Sequence, residues 1–492
     1  MAELAFPNER TQRRALLSHY LSIGAFLGAL LTIGAATGYL VRDMQLPPHA
    51  QIKMAARTFK ALDRSLFRTT VAGLQGFSAV PVSEIATRRL QIIGPTPSTR
   101  KYLFTGGPQQ YLEYCPEHGC LAAVFDRSGQ FVHGYPFRPD EFRARRIVDL
   151  QHDQLFPESD ADTELLGLVP LQNGDLVVTL HFNEAFPQGG GTARIDKDGH
   201  VIWYRRDFAH HWPTIDEDQN ILVPTTRVST VPVDFWEQKN QRTPGRNFTI
   251  GCPEGYARDA IEIINQNGQS LAEISVFDAL LDSPFSYYLL QATEDSGQQN
   301  LCDPLHVNYV RTVGSELASQ FSDVASDDLL VSVRAASGVL ILDRHSHQIT
   351  HFFSGSYLHQ HSAQPFGKRI LLFDNEGADR RAVPSRVVLY DPGTREETTI
   401  FPTLETRPQT RTFTSFAGNI NVAPDHKTAL VAVTEAGIAY EIEIQTGRVL
   451  TVMENLHDLR TQPNFPHDET QYAARFSQFG VYYLDDMGAN AK

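Results

Sequence analysis

The sequence predicts an all-β fold, a six-bladed β-propeller with an N-terminal transmembrane helix and a short helical stalk. Three observations support this: a long uncharged run near the N-terminus, an amphipathic segment after it, and a β-rich region with repeated tight turns. The 492 residues are 41% hydrophobic, enough for a large core or for repeats arranged around an axis. The predicted segments are a cytoplasmic tail (1–14), an anchor (15–41), a stalk or linker (42–98) and the propeller (99–492).

The predicted anchor, residues 15–41, contains no Asp, Glu, Lys or Arg. About 20 such residues cross a bilayer as a helix. A cleaved signal peptide is the alternative, but it usually has a shorter apolar stretch and a clearer cleavage site. Arg10, Arg13 and Arg14 precede the run and favour a cytoplasmic N-terminus. We therefore expect a single-pass inner-membrane protein whose body lies in the periplasm.

The stalk follows a helix break at Pro47-Pro48. Residues from about 50 to 75 then have apolar side chains at helical spacing, namely Met54, Phe59, Leu62, Leu66 and Val71. This pattern predicts an amphipathic helix that packs on the body. The segment Pro95-Thr96-Pro97-Ser98 marks the expected boundary before the β-rich region.

The β-rich region contains six similar tight turns between short apolar runs. They are Asp126–Gly129, Asp196–Gly199, Asn265–Gly268, Asp343–Ser346, Asp391–Thr394 and Gln445–Gly447. Asn, Asp and Gly provide the positive φ that hairpins need, so each turn is expected to join two strands. Repeated four-stranded units with little helix between them indicate a propeller, and six turns predict six blades. An all-β sandwich is the alternative, although it would not naturally hold so many similar units.

Charge and cysteine content narrow the partners and the compartment. The formal net charge of −14 disfavours nucleic acid as a partner. Four cysteines, an even number, suit an oxidising compartment. Cys115 and Cys120 could close a short loop, and Cys252 could pair with Cys302. Zinc bound by Cys115, His118 and Cys120 is the alternative, but a fourth nearby ligand is missing, and we expect no metal.

Imidazoles occur at the edges of several predicted strands. His210 and His211 precede one strand, His306 and Asn308 stand two apart in another, and His359 and His361 stand two apart in a third. Residues two apart share one face of a strand, so each spaced pair could line a central channel. The structural alternative is that these side chains only satisfy loop backbone groups. Asp374-Asn375 follows the next apolar run.

Arg334 ends an otherwise apolar segment, Asp328–Arg334. A buried guanidinium needs an anion or several acceptors, because burying it unpaired is costly. A carboxylate such as Asp374 is one candidate partner, and a bound anion is the other. Imidazoles and one guanidinium together could attack, protonate and hold a small anionic group.

The motifs together resemble those of the bacterial arylsulfate sulfotransferases. The resemblance covers roughly residues 165–395, and it rests on His210-His211 with Asp218-Gln219-Asn220, Asp303–Asn308, Leu330–Arg334, Gln360-His361 and Phe373–Asn375. It implies a periplasmic propeller that moves a sulfuryl group from an aryl sulfate to a phenolic or other hydroxyl acceptor. Neither a nucleotide donor nor another cofactor is implied.

The resemblance also implies roles for individual residues. His361 is expected to attack sulfur and become a transient sulfohistidine. His306 and His211 would handle protons and sulfate oxygens, while Asn308 and Arg334 would hold the sulfuryl oxygens. The neighbouring polar residues expected to contact substrate are His210, His359 and Asn375.

Other functions are less well supported by the sequence. A nucleotide-dependent sulfotransferase would need a Gly-x-x-x-x-Gly-Lys-Ser/Thr loop, which the chain lacks. A quinone-dependent propeller would need repeated tryptophans, and the chain has three. A non-catalytic binding or assembly module of the cell envelope remains the main alternative, because a propeller fold alone does not define chemistry. The acceptor, whether a small phenol, a lipid or a glycan, and the oligomeric state stay open.

Overall fold

A computed structural model describes most of the region predicted to be β-rich. The described residues are 80–106, 108–144, 163–182, 189–229, 256–289, 302–375, 384–458 and 472–484. The predicted anchor (15–41) and amphipathic helix (50–75) lie outside them. Within these ranges, no helix has the length and apolar character needed to cross a membrane.

The strands fall into six sheets of four or five antiparallel strands, which are the six blades, and one small sheet. Two strands come first, β1 (Val80–Pro81) and β2 (Leu90–Ile92). Blade 1 contains β3 (Lys101–Thr105), β4 (Cys120–Asp126) and β5 (Phe131–Pro136). Blade 2 contains β6 (Thr163–Pro170), β7 (Leu176–Phe182), β8 (Gly189–Ile195) and β9 (Val201–Arg205). Blade 3 contains β10 (Thr214–Ile215), β11 (Ile221–Ser229), β12 (Tyr256–Ile264) and β13 (Ser270–Ser275).

The remaining blades follow in chain order. Blade 4 contains β14 (Val307–Thr312), β15 (Leu329–Val333), β16 (Gly338–Leu342) and β17 (Ile349–Ser354). Blade 5 contains β18 (His361–Phe366), β19 (Arg369–Asp374), β20 (Arg386–Tyr390) and β21 (Glu397–Phe401). Blade 6 contains β22 (Asn419–Val422), β23 (Thr428–Val433), β24 (Ile438–Glu443) and β25 (Val449–Glu454). The last strands are β26 (Leu456–Asp458), β27 (Tyr472–Arg475) and β28 (Val481–Tyr483).

Helices are short in the described ranges. The α-helices are α1 (Ile85–Arg89), α2 (Pro139–Ala144), α3 (Val276–Leu281) and α4 (Ser315–Ala318). Three 3₁₀ turns occupy Val82–Glu84, Pro108–Tyr111 and Arg407–Gln409. The prediction of an all-β propeller with six blades is therefore confirmed.

Strands from both ends of the described chain complete the first and last blades. β28 pairs with β3, opposing Val481 to Phe104, and β2 pairs with β25, opposing Leu90 to Met453. β1, β27 and β26 form the separate small sheet. The sheets therefore begin before residue 99, because residues 90–92, predicted to belong to the linker, form the outer edge of blade 6.

All six predicted turns join the third and fourth strands of their blades, counted from the inner strand. Asp126 shows how these turns are held, since its Oδ1 accepts hydrogen bonds from Ser128 N (2.8 Å) and Gln130 N (3.1 Å). Gly129 closes the same turn at a φ of 77°, which glycine adopts without a steric penalty. The short polar side chain and the glycine thus fix the hairpin locally.

Neighbouring blades pack through buried apolar clusters. Between blades 4 and 5, for example, Leu330 and Ile341 pack with Ile370 and Leu372. Full burial of one such side chain stabilises a fold by about 1.5–3 kcal/mol. This packing arranges the inner strands of the six blades around one axis; they are β6, β10, β14, β18, β22 and β28. Inner strands of neighbouring blades contact each other, except that β28 is linked to β6 through β3. Residues that are far apart in sequence therefore meet at the starts of these strands.

The cysteines support the disulfide prediction over the zinc alternative. Cys115 and Cys120 form a disulfide with a Cα–Cα distance of 5.4 Å, so their sulfurs are not free to bind zinc. Cys302 is also in a disulfide. Its predicted partner, Cys252, lies outside the described residues.

Candidate active site

The candidate site lies where the inner strands of blades 3, 4 and 5 begin. His211, His306 and His359 precede β10, β14 and β18, and all three have left-handed backbones with φ of 62°, 53° and 52°. The prediction that His306 and His359 lie within strands, each sharing a face with a residue two positions on, is wrong. The strands begin at Val307 and His361, and His306 and His359 lie before them with left-handed backbones that depart from the extended conformation of a strand.

Three imidazole rings from different blades nevertheless converge. The ring centroid of His211 lies 4.9 Å from that of His306 and 5.8 Å from that of His361. His210 stacks edge-on against His211 at 4.9 Å and lies 6.2 Å from His306. His211 therefore occupies the centre of the cluster, and His210 lies behind it.

The hydrogen bonds of Asn375 determine which nitrogen of His361 carries the proton. Asn375 Nδ2 donates to the carbonyl oxygens of Thr414 (3.0 Å) and Ala417 (2.9 Å). Its Oδ1 must therefore accept from His361 Nδ1, at 2.7 Å. In the neutral ring this leaves a lone pair on His361 Nε2, which has no hydrogen-bond partner among the described residues. That arrangement presents a nucleophilic nitrogen.

His306 is held by a carboxylate. Its Nδ1 lies 2.5 Å from Asp303 Oδ2, and a carboxylate oxygen only accepts hydrogen bonds. Burial raises the pKa of Asp303, but electrostatic interactions with His306, His210 and Arg334, together with the His306 hydrogen bond, outweigh burial and leave the pKa below its usual value. Asp303 is therefore a partly buried anion that can stabilise a positive charge on His306.

Arg334 follows β15 directly, as predicted, but its guanidinium has no partner among the residues that the structure describes. It makes no hydrogen bond or ion pair with any described residue, and Asp374 is instead bonded to Arg386 Nε at 2.8 Å. The ion pair considered between Arg334 and Asp374 does not form. Burial lowers the pKa of Arg334 and Asp303 raises it, yet a guanidinium stays charged in proteins. A partly buried cation that interacts electrostatically with His211 and His361 and has no hydrogen-bond partner among the described residues is suited to hold an anion.

The two central histidines are kept neutral by their surroundings. Burial, followed by the charge of Arg334, brings the pKa of His361 well below its usual range. Burial, followed by the neighbouring His210, does the same for His211. Both rings therefore retain a lone pair at neutral pH, which nucleophilic and base catalysis require.

The other predicted substrate contacts have different environments. Asn308 Nδ2 donates to the Gln360 carbonyl oxygen at 2.7 Å, whereas its Oδ1 is buried without a partner in the described part of the chain. Asn375 has its amide engaged with His361 and two backbone carbonyls, so it positions the ring rather than facing open space. His359 influences His361 electrostatically.

Sequence reasoning did not assign roles to several residues around the site. Trp212, which follows His211, is buried and lies edge-on to the His361 ring at 5.9 Å. Asp303 lies three residues before His306 inside a segment already singled out, and that short spacing was an available signal. Thr226 and Asp259, which lie behind His210, are on β11 and β12 and carry no recognisable motif.

Gly167 of blade 2 is expected to control the position of His211. A Cβ at this position would lie 2.4 Å from the His211 carbonyl oxygen and 2.6 Å from Trp212 Cα, and backbone atoms cannot rotate away. Gly167→Ala should therefore lower transfer activity and destabilise the protein by about 1–3 kcal/mol. Assays and thermal unfolding would be compared with those of Gly393→Ala, whose nearest neighbours at 3.3–3.4 Å are side-chain oxygens. Equal activity in both variants would contradict this prediction.

In this six-bladed propeller, three histidines at the starts of inner strands and an arginine directly after β15 are suited to bind and act on a small anionic group. The chain matches the sequence profile described as Arylsulfotransferase (ASST) over residues 168–455, more than half of its length. It belongs to the arylsulfotransferase family. The matched region contains every histidine and arginine of the candidate site.

Comparisons with solved structures give only distant similarities. A protein of unknown function from Bacteroides caccae aligns at 11% identity and a TM-score of 0.42, covering 78% of this chain and 98% of that one. A putative 6-phosphogluconolactonase from Bacteroides fragilis aligns at 10% identity and a TM-score of 0.37, with 79% and 99% coverage. A catalytically inactive virginiamycin B lyase from Staphylococcus aureus, with quinupristin, aligns at 11% identity and 0.32, with 73% and 86% coverage. No curated protein matches the chain significantly.

Proposed function

We propose that the protein transfers a sulfuryl group from an aryl sulfate ester to a phenolic or other hydroxyl acceptor through a sulfohistidine at His361. The proposal rests on the Arg334 guanidinium, which has no partner among the described residues and interacts electrostatically with the histidine cluster. In the same cluster, Asn375 holds His361 so that its lone pair is on Nε2. This combination provides an anion site and a nucleophile together.

In the first half-reaction, His361 Nε2 attacks the sulfur of the ester. An N–S bond forms as the S–O bond to the aryl group breaks, and the electron pair leaves on the phenoxide oxygen. Arg334 donates to the sulfuryl oxygens, and His306, held by Asp303, is the second candidate donor. Because sulfuryl transfer resembles phosphoryl transfer in its loose, charge-dispersed transition state, such donors supply much of the acceleration.

In the second half-reaction, the acceptor hydroxyl oxygen attacks the same sulfur. An O–S bond forms, and the N–S bond breaks, returning its electron pair to His361. The hydroxyl proton passes to His211, the remaining neutral ring that neighbours both His306 and His361. His211 then returns this proton to the next departing phenoxide, so the cycle is balanced without a cofactor.

A direct assay tests the proposal. The purified protein is incubated with 4-nitrophenyl sulfate and phenol, and both nitrophenol and phenyl sulfate are quantified. We expect phenyl sulfate to form in proportion to the nitrophenol released. Absence of both products would contradict the proposed function and favour a non-catalytic envelope module.

The depressed pKa values predict an unusual pH profile. An ordinary histidine nucleophile, with a pKa of about 6.5, would lose activity as the pH falls through that value. Since burial and Arg334 hold the pKa of His361 well below this range, kcat/KM for the aryl sulfate should show no acid limb there. Measurement from about pH 8 to pH 5.5 would test this. A tenfold decrease with a midpoint near pH 6.5, in protein that remains folded by circular dichroism, would contradict the assignment.

We also propose that residues 15–41 anchor the protein in the inner membrane, with the propeller in the periplasm. The oxidised Cys115–Cys120 pair supports an oxidising compartment, because such disulfides are rare in the cytosol.

A further inference from the structure

A chain of buried hydrogen bonds extends from His211 away from the site into blade 3. His211 Nδ1 lies 2.7 Å from His210 Nδ1, and His210 Nε2 lies 2.8 Å from Thr226 Oγ1. Thr226 Oγ1 in turn donates to Asp259 Oδ1 at 3.0 Å. Thr226 and Asp259 oppose each other across β11 and β12, so the sheet register fixes their separation. All four side chains are buried.

The direction of each hydrogen bond in this chain follows from its buried end. Asp259 accepts from the backbone N–H of Val307 (3.1 Å) and from Thr226, and a carboxylate has no hydrogen to donate. The single hydroxyl hydrogen of Thr226 is therefore used toward Asp259. Its oxygen is left to accept from His210 Nε2, which lies 3.6 Å from Asp259 Oδ1 as well.

With its proton on Nε2, neutral His210 has a lone pair on Nδ1. This nitrogen can only accept from His211 Nδ1, so the His211 proton is on Nδ1. The lone pair of His211 is thereby placed on Nε2, on the side away from His210. Through these hydrogen bonds, the fixed carboxylate of Asp259 selects the tautomer of His211 that carries its proton on Nδ1.

We propose that Asp259 and Thr226 act through His210 to hold His211 as the proton acceptor for the incoming hydroxyl. Asp259, Thr226 and His210 are then positioning residues for sulfuryl transfer. When His211 takes a proton at Nε2, its Nδ1 proton can move toward His210, where the Asp259 carboxylate stabilises the added charge. The inference rests on the proposed function and adds that the acceptor is a weakly acidic hydroxyl. Such a hydroxyl does not ionise without a base, so its transfer depends most on these hydrogen bonds.

Thr226→Val tests the hydrogen-bond chain from His211 to Asp259, because valine keeps the shape of threonine and removes its hydroxyl. With 4-nitrophenyl sulfate as donor, release of nitrophenol in the first turnover should stay within about 3-fold of wild type, since this leaving group needs no proton. Transfer from the sulfo-enzyme to phenol should slow by about 10- to 100-fold, the range that follows loss of a hydrogen-bond partner behind a metal-bound histidine. Transfer to a more acidic nitro-substituted phenol should slow much less. Thr226→Ser, which retains the hydroxyl, should recover most of the phenol rate.

Thr225→Val is the matched control. Thr225 is the adjacent buried residue on β11, and within the described part of the chain its hydroxyl bonds only to the Ala260 carbonyl oxygen, at 3.5 Å. This variant should transfer to phenol and to the nitro-substituted phenol at wild-type rates. Thermal unfolding of all variants establishes that each one folds.

Each contrary result has a separate meaning. If wild-type protein forms no sulfo-enzyme, the proposed function fails, and this inference fails with it. If wild-type protein transfers normally and Thr226→Val does so equally well with phenol, the inference alone is overturned. The same conclusion follows if Thr226→Val slows both half-reactions and both acceptors equally, because a general structural defect would act in that way.

Discussion

Replacement of His361 by glutamine is expected to abolish sulfuryl transfer. Glutamine retains much of the buried volume but has no nucleophilic nitrogen, and loss of a covalent nucleophile lowers turnover by at least about 10⁴-fold. The change should also remove any covalent sulfuryl adduct. Turnover would be measured with 4-nitrophenyl sulfate and phenol, and folding would be checked by thermal unfolding.

His345→Gln is the matched control for this prediction. His345 lies in the exposed turn between β16 and β17, with 77% of its side chain accessible, and pairs with Asp327. Its replacement should leave turnover unchanged. If His361→Gln retained more than a few per cent of the wild-type rate while folded, His361 would not be the nucleophile.

Replacement of Arg334 by alanine should lower turnover by about 100- to 1,000-fold, the usual effect of removing one donor to a developing oxyanion. The same change should leave the free energy of unfolding unchanged or raise it. The guanidinium is partly buried and makes no hydrogen bond or ion pair with a described residue, so only its longer-range attraction to Asp303 offsets the cost of its desolvation when substrate is absent. Loss of activity with no loss of stability is the signature of a residue retained for binding rather than for folding.

Two further variants sharpen this test. Arg334→Lys keeps the charge but loses the planar, two-pronged donor geometry, and we expect an intermediate rate. Arg448→Ala removes an exposed arginine that pairs with Glu443, and it should change neither activity nor stability appreciably. Near-normal turnover of Arg334→Ala, or a clear decrease in its unfolding temperature, would show that the guanidinium has a structural role.

The blade count could be predicted because its signals are local. Each third-to-fourth strand connection contains its own turn chemistry, as in Asp126–Gly129, where one carboxylate and one glycine fix the hairpin. The positions of β2 and β28 could not be predicted in this way. Their partners, β25 and β3, are hundreds of residues away, and no short-range pattern specifies that pairing.

The residue types of the candidate site could be read from the sequence, but their backbone conformations and hydrogen bonds could not. The rings of His211, His306 and His361 lie close together, and Arg334 interacts electrostatically with two of them, although the strand periodicity used for His306 and His359 does not apply to left-handed residues. Hydrogen-bond partners were the main omission. Asp303 and Asn375 hydrogen-bond to Nδ1 of two histidines. The Asp303–His306 contact is local, whereas the Asn375–His361 contact depends on the pairing of β18 with β19, which one sequence does not contain.

Peptide mapping by mass spectrometry tests the central claim most directly. The full-length protein would be mixed with 4-nitrophenyl sulfate in the absence of acceptor, quenched rapidly and digested. We predict one SO₃ adduct on the peptide that contains His361, its disappearance when phenol is added before the quench, and its absence in His361→Gln. Product formation without any adduct on His361, or an adduct on a different residue that phenol discharges, would contradict the account.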